Sequence, residues 1–135
     1  MTLESTTLAT RRLGRSGLVT SRLVLGTMTF GARTTEGEAG RIADDAHAHG
    51  VTMIDTADSY AGGRSEEIVG RLVAPRRYDW ILATKIGNPM GEGALRRGLS
   101  RRRVVLAVEA SLGRLGCDHI DILYLHKEDP VTPLG

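Results

Sequence analysis

Lysine is nearly missing from this chain: of its 18 basic residues only Lys85 and Lys127 are lysines, and the rest are arginines. A coding sequence rich in G and C produces that skew without selection on the protein, so the arginines say little and the two lysines say more. Cysteine is almost as rare. Cys117 is the only one, which excludes an internal disulfide and points to a reducing compartment. Aromatic residues make up 4% of the sequence, so a core must be built from Leu, Val, Ile, Ala and Met, the usual filling of an α/β protein. No stretch approaches the roughly 18 apolar residues of a membrane helix, and the opening MTLESTTLATRR has no apolar segment of signal-peptide length. The expectation is a cytoplasmic protein with no membrane partner. A net charge of +2 is too weak a bias to imply nucleic acid. There is no P-loop and no G-x-G-x-x-G: after Gly91 and Gly93, Arg96 stands where the third glycine belongs, and no strand directly precedes them. The pattern argues against a Rossmann-type cofactor site.

What is present is a repeating unit. Residues 11–22 set Gly14 and Gly17 between short apolar segments, the pattern of a hairpin acting as a lid or plug. Leu23–Leu25 then form a short strand ended by Gly26. Thr35 and Glu38 have capping-box spacing, Ala39, Ile42, Ala43 and Ala46 follow at helical period, and Gly50 closes the pattern. Val51, Met53 and Ile54 form a second strand closing at Asp55. A second helix from about Ser65 carries Glu66 and Glu67 in its first turn and buries Ile68, Val69, Leu72 and Val73. Trp80–Thr84 is a third strand closing at Lys85, followed by a long loop dense in Gly, Asn and Pro. Ser100 caps a third helix with Val104, Val105, Val108, Leu112 and Leu115 on its apolar side. His119–Leu125 is a fourth strand closing at His126. The strand ends Gly26, Asp55, Lys85 and His126 are 29, 30 and 41 residues apart. Such βα alternation predicts parallel strands, in either a doubly wound sheet or a (β/α)8 barrel.

In both folds the C-terminal strand ends open onto one face, and that face carries the active site. An unpaired ammonium behind the apolar run WILAT would cost several kcal/mol, of order the penalty for any buried ion, so Lys85 needs a carboxylate and Asp55 on the adjacent strand can supply it. Tyr60, five residues after Asp55 in a loop of small residues, can bring its phenol over the same rim. An ammonium beside a phenol favours the phenolate, which makes Lys85 its tuner. His126 can donate a hydrogen bond to a developing oxyanion. Taken one at a time, each of the four has a bland reading: a loop-capping acid, a surface aromatic, a strand-edge lysine, a structural histidine. Their joint placement at the ends of successive repeats favours a proton-transfer site. His47 and His49, two apart on a helix, point to different sides and make no shared metal site. Arg101–Arg103 read as an exposed charged face, and Cys117 as structural.

The segments DTADSY, ATK and LYLH resemble the aldo-keto reductase family. RRLGRSGLVTSRLVLGTMTFG is similar to that family's N-terminal hairpin and first strand, DTADSYAGGRSEEIVGR to its Asp and Tyr segment, and LSRRRVVLAVEASLGRLG to its third helix. The resemblance implies a parallel (β/α)8 TIM-type barrel and the NADPH-dependent reduction of an aldehyde or ketone. It implies Tyr60 as general acid, Asp55 and Lys85 as its tuners, and His126 as the group that positions a small carbonyl substrate. Gly26, Thr27 and Met28 match the first-strand end near the nicotinamide, with Asp55 near the ribose.

A complete barrel takes about 250 residues. The 135 residues here hold the hairpin (11–22) and four βα repeats (23–126), a single incomplete barrel domain over 1–135. The expectation is a fragment that needs the other half for full activity, and whose exposed half-barrel edges favour self-association. The alternative is a non-catalytic module akin to the family's channel-associated subunits.

Overall fold

The computed structural model describes residues 8–133; positions 1–7, where the signal-peptide reading falls, and 134–135 lie outside them. Two short antiparallel strands, β1 (Thr10–Arg12) and β2 (Val19–Ser21), form the expected hairpin. It docks by a reciprocal pair: the Ser21 N–H donates to the Thr52 hydroxyl at 2.9 Å, and the Thr52 N–H to the Ser21 hydroxyl at 3.0 Å. Thr52 immediately precedes the strand that closes at Asp55, so the hairpin sits at the end of the sheet where strands begin. It is a plug there, remote from the rim that carries Asp55.

The remaining elements alternate: β3 (Leu25–Gly26), α1 (Glu36–Ala48), β4 (Met53–Asp55), α2 (Arg64–Val73), β5 (Ile81–Ile86), α3 (Arg101–Leu115) and β6 (Ile122–Leu125). The four strands β3 to β6 are all parallel and lie in sequence order. A doubly wound sheet reverses its order at a switch point. This one does not, which is the winding of a barrel wall.

Register divides the sheet into two faces. Ile54 pairs with Leu82, and this side packs on the helices, where Ile54, Leu82, Ile68, Val69 and Leu115 form a core sealed from solvent. Asp55 pairs with Ala83 and Lys85 with Tyr124, so these side chains share the opposite, concave side. Alternation along a strand enforces that segregation.

The helices form where the sequence predicts, with the predicted caps on α1 and α3, although Ile42, expected on the apolar side of α1, is 42% exposed. Thr35 and Glu38 complete a capping box on α1, and the Ser100 hydroxyl accepts the Arg103 N–H at the start of α3. Gly70, inside α2, is a poor helix former, costing about 1 kcal/mol relative to alanine. It is required because a Cβ there would lie 2.2 Å from the Leu115 carbonyl oxygen of α3. The two helices touch backbone to backbone.

The buried stripe of α3 differs from the apolar one. Arg103, Ala107, Ser111 and Leu115, spaced four apart, face inward, while Val105 and Leu106 are exposed. The inward polar groups serve buried carboxylates: Arg103 lies 3.3 Å from Asp58, and Ser111 supports Arg114, whose Nε donates to Glu66 at 2.6 Å. The arginine run is therefore only partly a solvated face. Glu66, expected as a first-turn charge, is wholly buried and also accepts from the Thr84 hydroxyl. Periodicity of apolar residues gives no signal for a helix that buries polar ones in pairs.

Candidate active site

Three strand ends build the rim. Asp55 is the last residue of β4, Lys85 the penultimate residue of β5, and His126 the first residue beyond β6. Because Asp55 is level with Ala83, Lys85 stands one strand across and two residues further along, on the same side. That diagonal brings its Nζ to 2.6 Å from Asp55 Oδ2. The same ammonium donates to the Thr56 carbonyl at 3.0 Å and to the Tyr60 hydroxyl at 2.9 Å, so all three of its protons are used. Burial alone would draw the Lys85 amine down; the Asp55 and Tyr60 oxygens outweigh it and hold the amine above the ordinary lysine value.

Tyr60 reaches the rim through an unusual backbone. The loop leaves β4 along β5, with the Thr56 N–H on the Ala83 carbonyl and the Asp58 N–H on the Lys85 carbonyl. It then turns sharply through a 3-10 turn, Tyr60–Gly63, in which Ala61, Gly62 and Gly63 all have positive φ. Glycine accepts that region freely, whereas Ala61 at φ 50° is strained by about 1 kcal/mol. Strain of this kind persists where neighbours over-determine the backbone, and it adjoins the phenol.

The His126 ring stands edge-on to Tyr60, with centroids 5.9 Å apart. Its Nδ1 is 3.1 Å from the Asn88 side-chain nitrogen, which also reaches the Ser59 hydroxyl at 3.4 Å. With the amide nitrogen assigned to this contact, Asn88 donates to Nδ1, which in a neutral ring leaves the proton on Nε2. Nothing in the residue pattern singles out Asn88 within a loop of glycines; its one hint is that it lies three residues past Lys85, still over the rim. Asp129, beyond β6, holds that loop from the other side by accepting the Thr132 hydroxyl and the Leu99 and Val131 N–H groups. These contacts, the hydroxyl foremost, bring its carboxyl down to about 2.

The rim opens into a cavity of about 390 Å3 lined by Asp55, Lys85 and His126 with Val24, Met53 and Tyr124. At the β3 end, Gly26 is exposed and a Cβ there would meet open space, and Met28 is 66% exposed. Thr27 is wholly buried, its hydroxyl engaged with Ser65 and the Asp55 carbonyl. Asp55 Oδ1 is enclosed and has no hydrogen-bond partner among the described residues.

The model of the Aldo/keto reductase family matches residues 22–134. Among curated proteins, the chain is 42% identical over 130 residues to a probable voltage-gated potassium channel subunit beta of Arabidopsis thaliana, covering 92% of this chain and 39% of that protein. A protein of the same description from Oryza sativa subsp. japonica is 38% identical, with the same coverage of both. Among solved structures, an aldo-keto reductase from Bacillus halodurans in holo form superposes with a TM-score of 0.77 at 40% identity, covering 87% of this chain and 40% of that one. A putative aldo-keto reductase from Pseudomonas aeruginosa gives a TM-score of 0.81 at 35% identity, covering 92% and 50%. The chain thus spans about two-fifths of the plant relatives and up to half of the solved structures, and its hairpin, four parallel strands and three helices match that part of the solved aldo-keto reductases. It belongs to the aldo-keto reductase family.

Proposed function

We propose that this chain carries the proton-transfer half of a carbonyl reductase site: an aldehyde or ketone is reduced to an alcohol, with Tyr60 giving the proton to the carbonyl oxygen. The observation that carries the reading is the single ammonium of Lys85 donating at once to Asp55 at 2.6 Å and to Tyr60 at 2.9 Å. Since Lys85 donates to the phenol oxygen, the phenol's own proton is left to point at a substrate. Once it leaves, the phenolate keeps its cation, and Asp55 keeps that cation charged. His126, with its proton on Nε2, donates to the same carbonyl oxygen and orients it.

NADPH, the cofactor the family resemblance implies, supplies a hydride when bound. The residues at the β3 end fit such a group. Asp55 keeps 22% of its side-chain surface exposed, and Gly26 and Met28 beside it leave the flanking surface open. These three, with the backbone of Thr27, would hold its nicotinamide end.

Carbonyl-dependent oxidation of NADPH tests the reading, with Tyr60→Phe as the variant. Turnover is expected to fall about 10²–10⁴-fold, the usual contribution of a positioned general acid. Unchanged turnover in Tyr60→Phe would remove Tyr60 from the role.

The names of the plant relatives favour a second reading, an accessory subunit of a potassium channel. Binding to a channel's cytoplasmic domain that survives Tyr60→Phe would support it independently of reduction.

A further inference from the structure

Asp58 lies in the loop between Asp55 and Tyr60 and is 1% exposed. Its Oδ2 is 3.3 Å from Nη2 of Arg103, itself 8% exposed in the first turn of α3. Asp58 Oδ1 and Arg103 Nε are both enclosed and both lack a partner among the described residues. A buried pair with two unsatisfied atoms recovers little of the desolvation cost of its charges. Consistent with that, burial pushes the Asp58 carboxyl above its ordinary value and Glu66 adds to the push, with Arg103 only partly opposing them. Arg103 is also a cation at the positive end of a helix, the wrong sign for the dipole. Stability does not account for this pair.

Its location does. Up to Asp58 the loop is held by backbone hydrogen bonds to β5, the last from the Asp58 N–H to the Lys85 carbonyl at 3.0 Å. Two residues later comes Tyr60, then the three positive-φ residues Ala61–Gly63. Asp58 is therefore where strand-like support ends and the strained turn begins.

We propose that the Asp58–Arg103 pair is a positioning device, anchoring the Tyr60 loop to α3 so that the phenol oxygen stays within hydrogen-bond reach of Lys85. The proposal rests on Tyr60 as the proton donor only for its catalytic consequence; the anchoring itself is read without turnover. Because the chain has just two lysines, ¹³C-lysine labelling gives a two-signal NMR spectrum, with exposed Lys127 as internal reference and Lys85→Met as assignment. Lys85 titrates high partly because Tyr60 accepts from it, so Tyr60→Phe marks the midpoint expected when the phenol oxygen is lost. The double variant Asp58→Asn with Arg103→Gln is isosteric at the first position, shortens the second side chain by two heavy atoms, and removes both charges. It should fold, judged by its circular dichroism, and lower the Lys85 midpoint by at least half as much as Tyr60→Phe does. In a protein that turns over, kcat should fall about tenfold or more while KM for the cofactor changes little. If the double variant fails to fold, Arg103→Gln alone, in which Asp58 can take up a proton, is read in the same way. A folded variant whose Lys85 midpoint stays at the parent value overturns the proposal. A lowered midpoint together with unchanged turnover in Tyr60→Phe would keep the anchor and discard Tyr60 as proton donor.

Discussion

Two carboxylate–cation pairs, Glu66–Arg114 in the helix layer and Asp55–Lys85 on the rim, have the same 2.6 Å separation and different surroundings. Glu66 has no exposed side-chain surface, and both of its oxygens are spent, one on Arg114 and one on Thr84. Asp55 keeps 22% of its side-chain surface exposed and leaves one oxygen unpartnered, while its lysine is shared with a phenol and a carbonyl. The first pair joins α2, β5 and α3 and has nothing left to offer a ligand. The second keeps part of its carboxylate open to solvent and shares its cation, which is what a site requires. Saturation, more than distance, separates the pair that holds the fold from the pair that can do chemistry.

Three substitutions can break or sharpen that contrast. Arg114→Met strands a carboxylate that solvent cannot reach, and is expected to cost about 3–5 kcal/mol in denaturant unfolding; a loss below about 1 kcal/mol would mean the helix-layer pair is not structural. Lys85→Met should cost less, about 1–2 kcal/mol, since Asp55 retains contact with water. Its pH dependence carries the sharper signature. Lys85 is held above the ordinary lysine value of 10.5, so its contribution is present in full below that pH and is lost as pH rises through the folded value. The stability gap between parent and Lys85→Met should therefore stay level from neutrality to about pH 10 and close above it. A gap that closed on acidification instead would assign the effect to a carboxylate. Ala61→Gly should have the smallest effect, under about 1 kcal/mol, because relief of the positive-φ strain is offset by the freer unfolded chain. Unfolding curves of parent and variant would measure it, and a large stabilisation would show that the turn stores more strain than its neighbours compensate.

The βα order, the hairpin, the capping of α1 and α3, and the meeting of Asp55, Lys85 and Tyr60 were legible because each leaves a local mark. Thr35 and Glu38 have a spacing, Lys85 closes an apolar run, and alternation puts strand-end groups on one rim. Asn88, Asp58 with Arg103, and Glu66 with Arg114 left none. Their meaning depends on partners 38, 45 and 48 positions away, and a buried charge looks like a surface charge until its partner is known. For the same reason α3 read by its valines and leucines was offset by one residue: Leu115 is in the core and Val104, Val108 and Leu112 are half-buried, but the inward positions are Arg103, Ala107 and Ser111, two of them tied to carboxylates on other elements.

Gly70 has a mechanical consequence. Where side chains separate two helices, rotamer changes let one slide past the other; where a glycine brings backbone against the Leu115 carbonyl, no such lubricating layer exists. Helices α2 and α3 should therefore move as one plate, so that substrate-scale motion at the rim is confined to the loops, and amides flanking Gly70 should exchange with solvent more slowly than those of the Gly87–Ser100 segment.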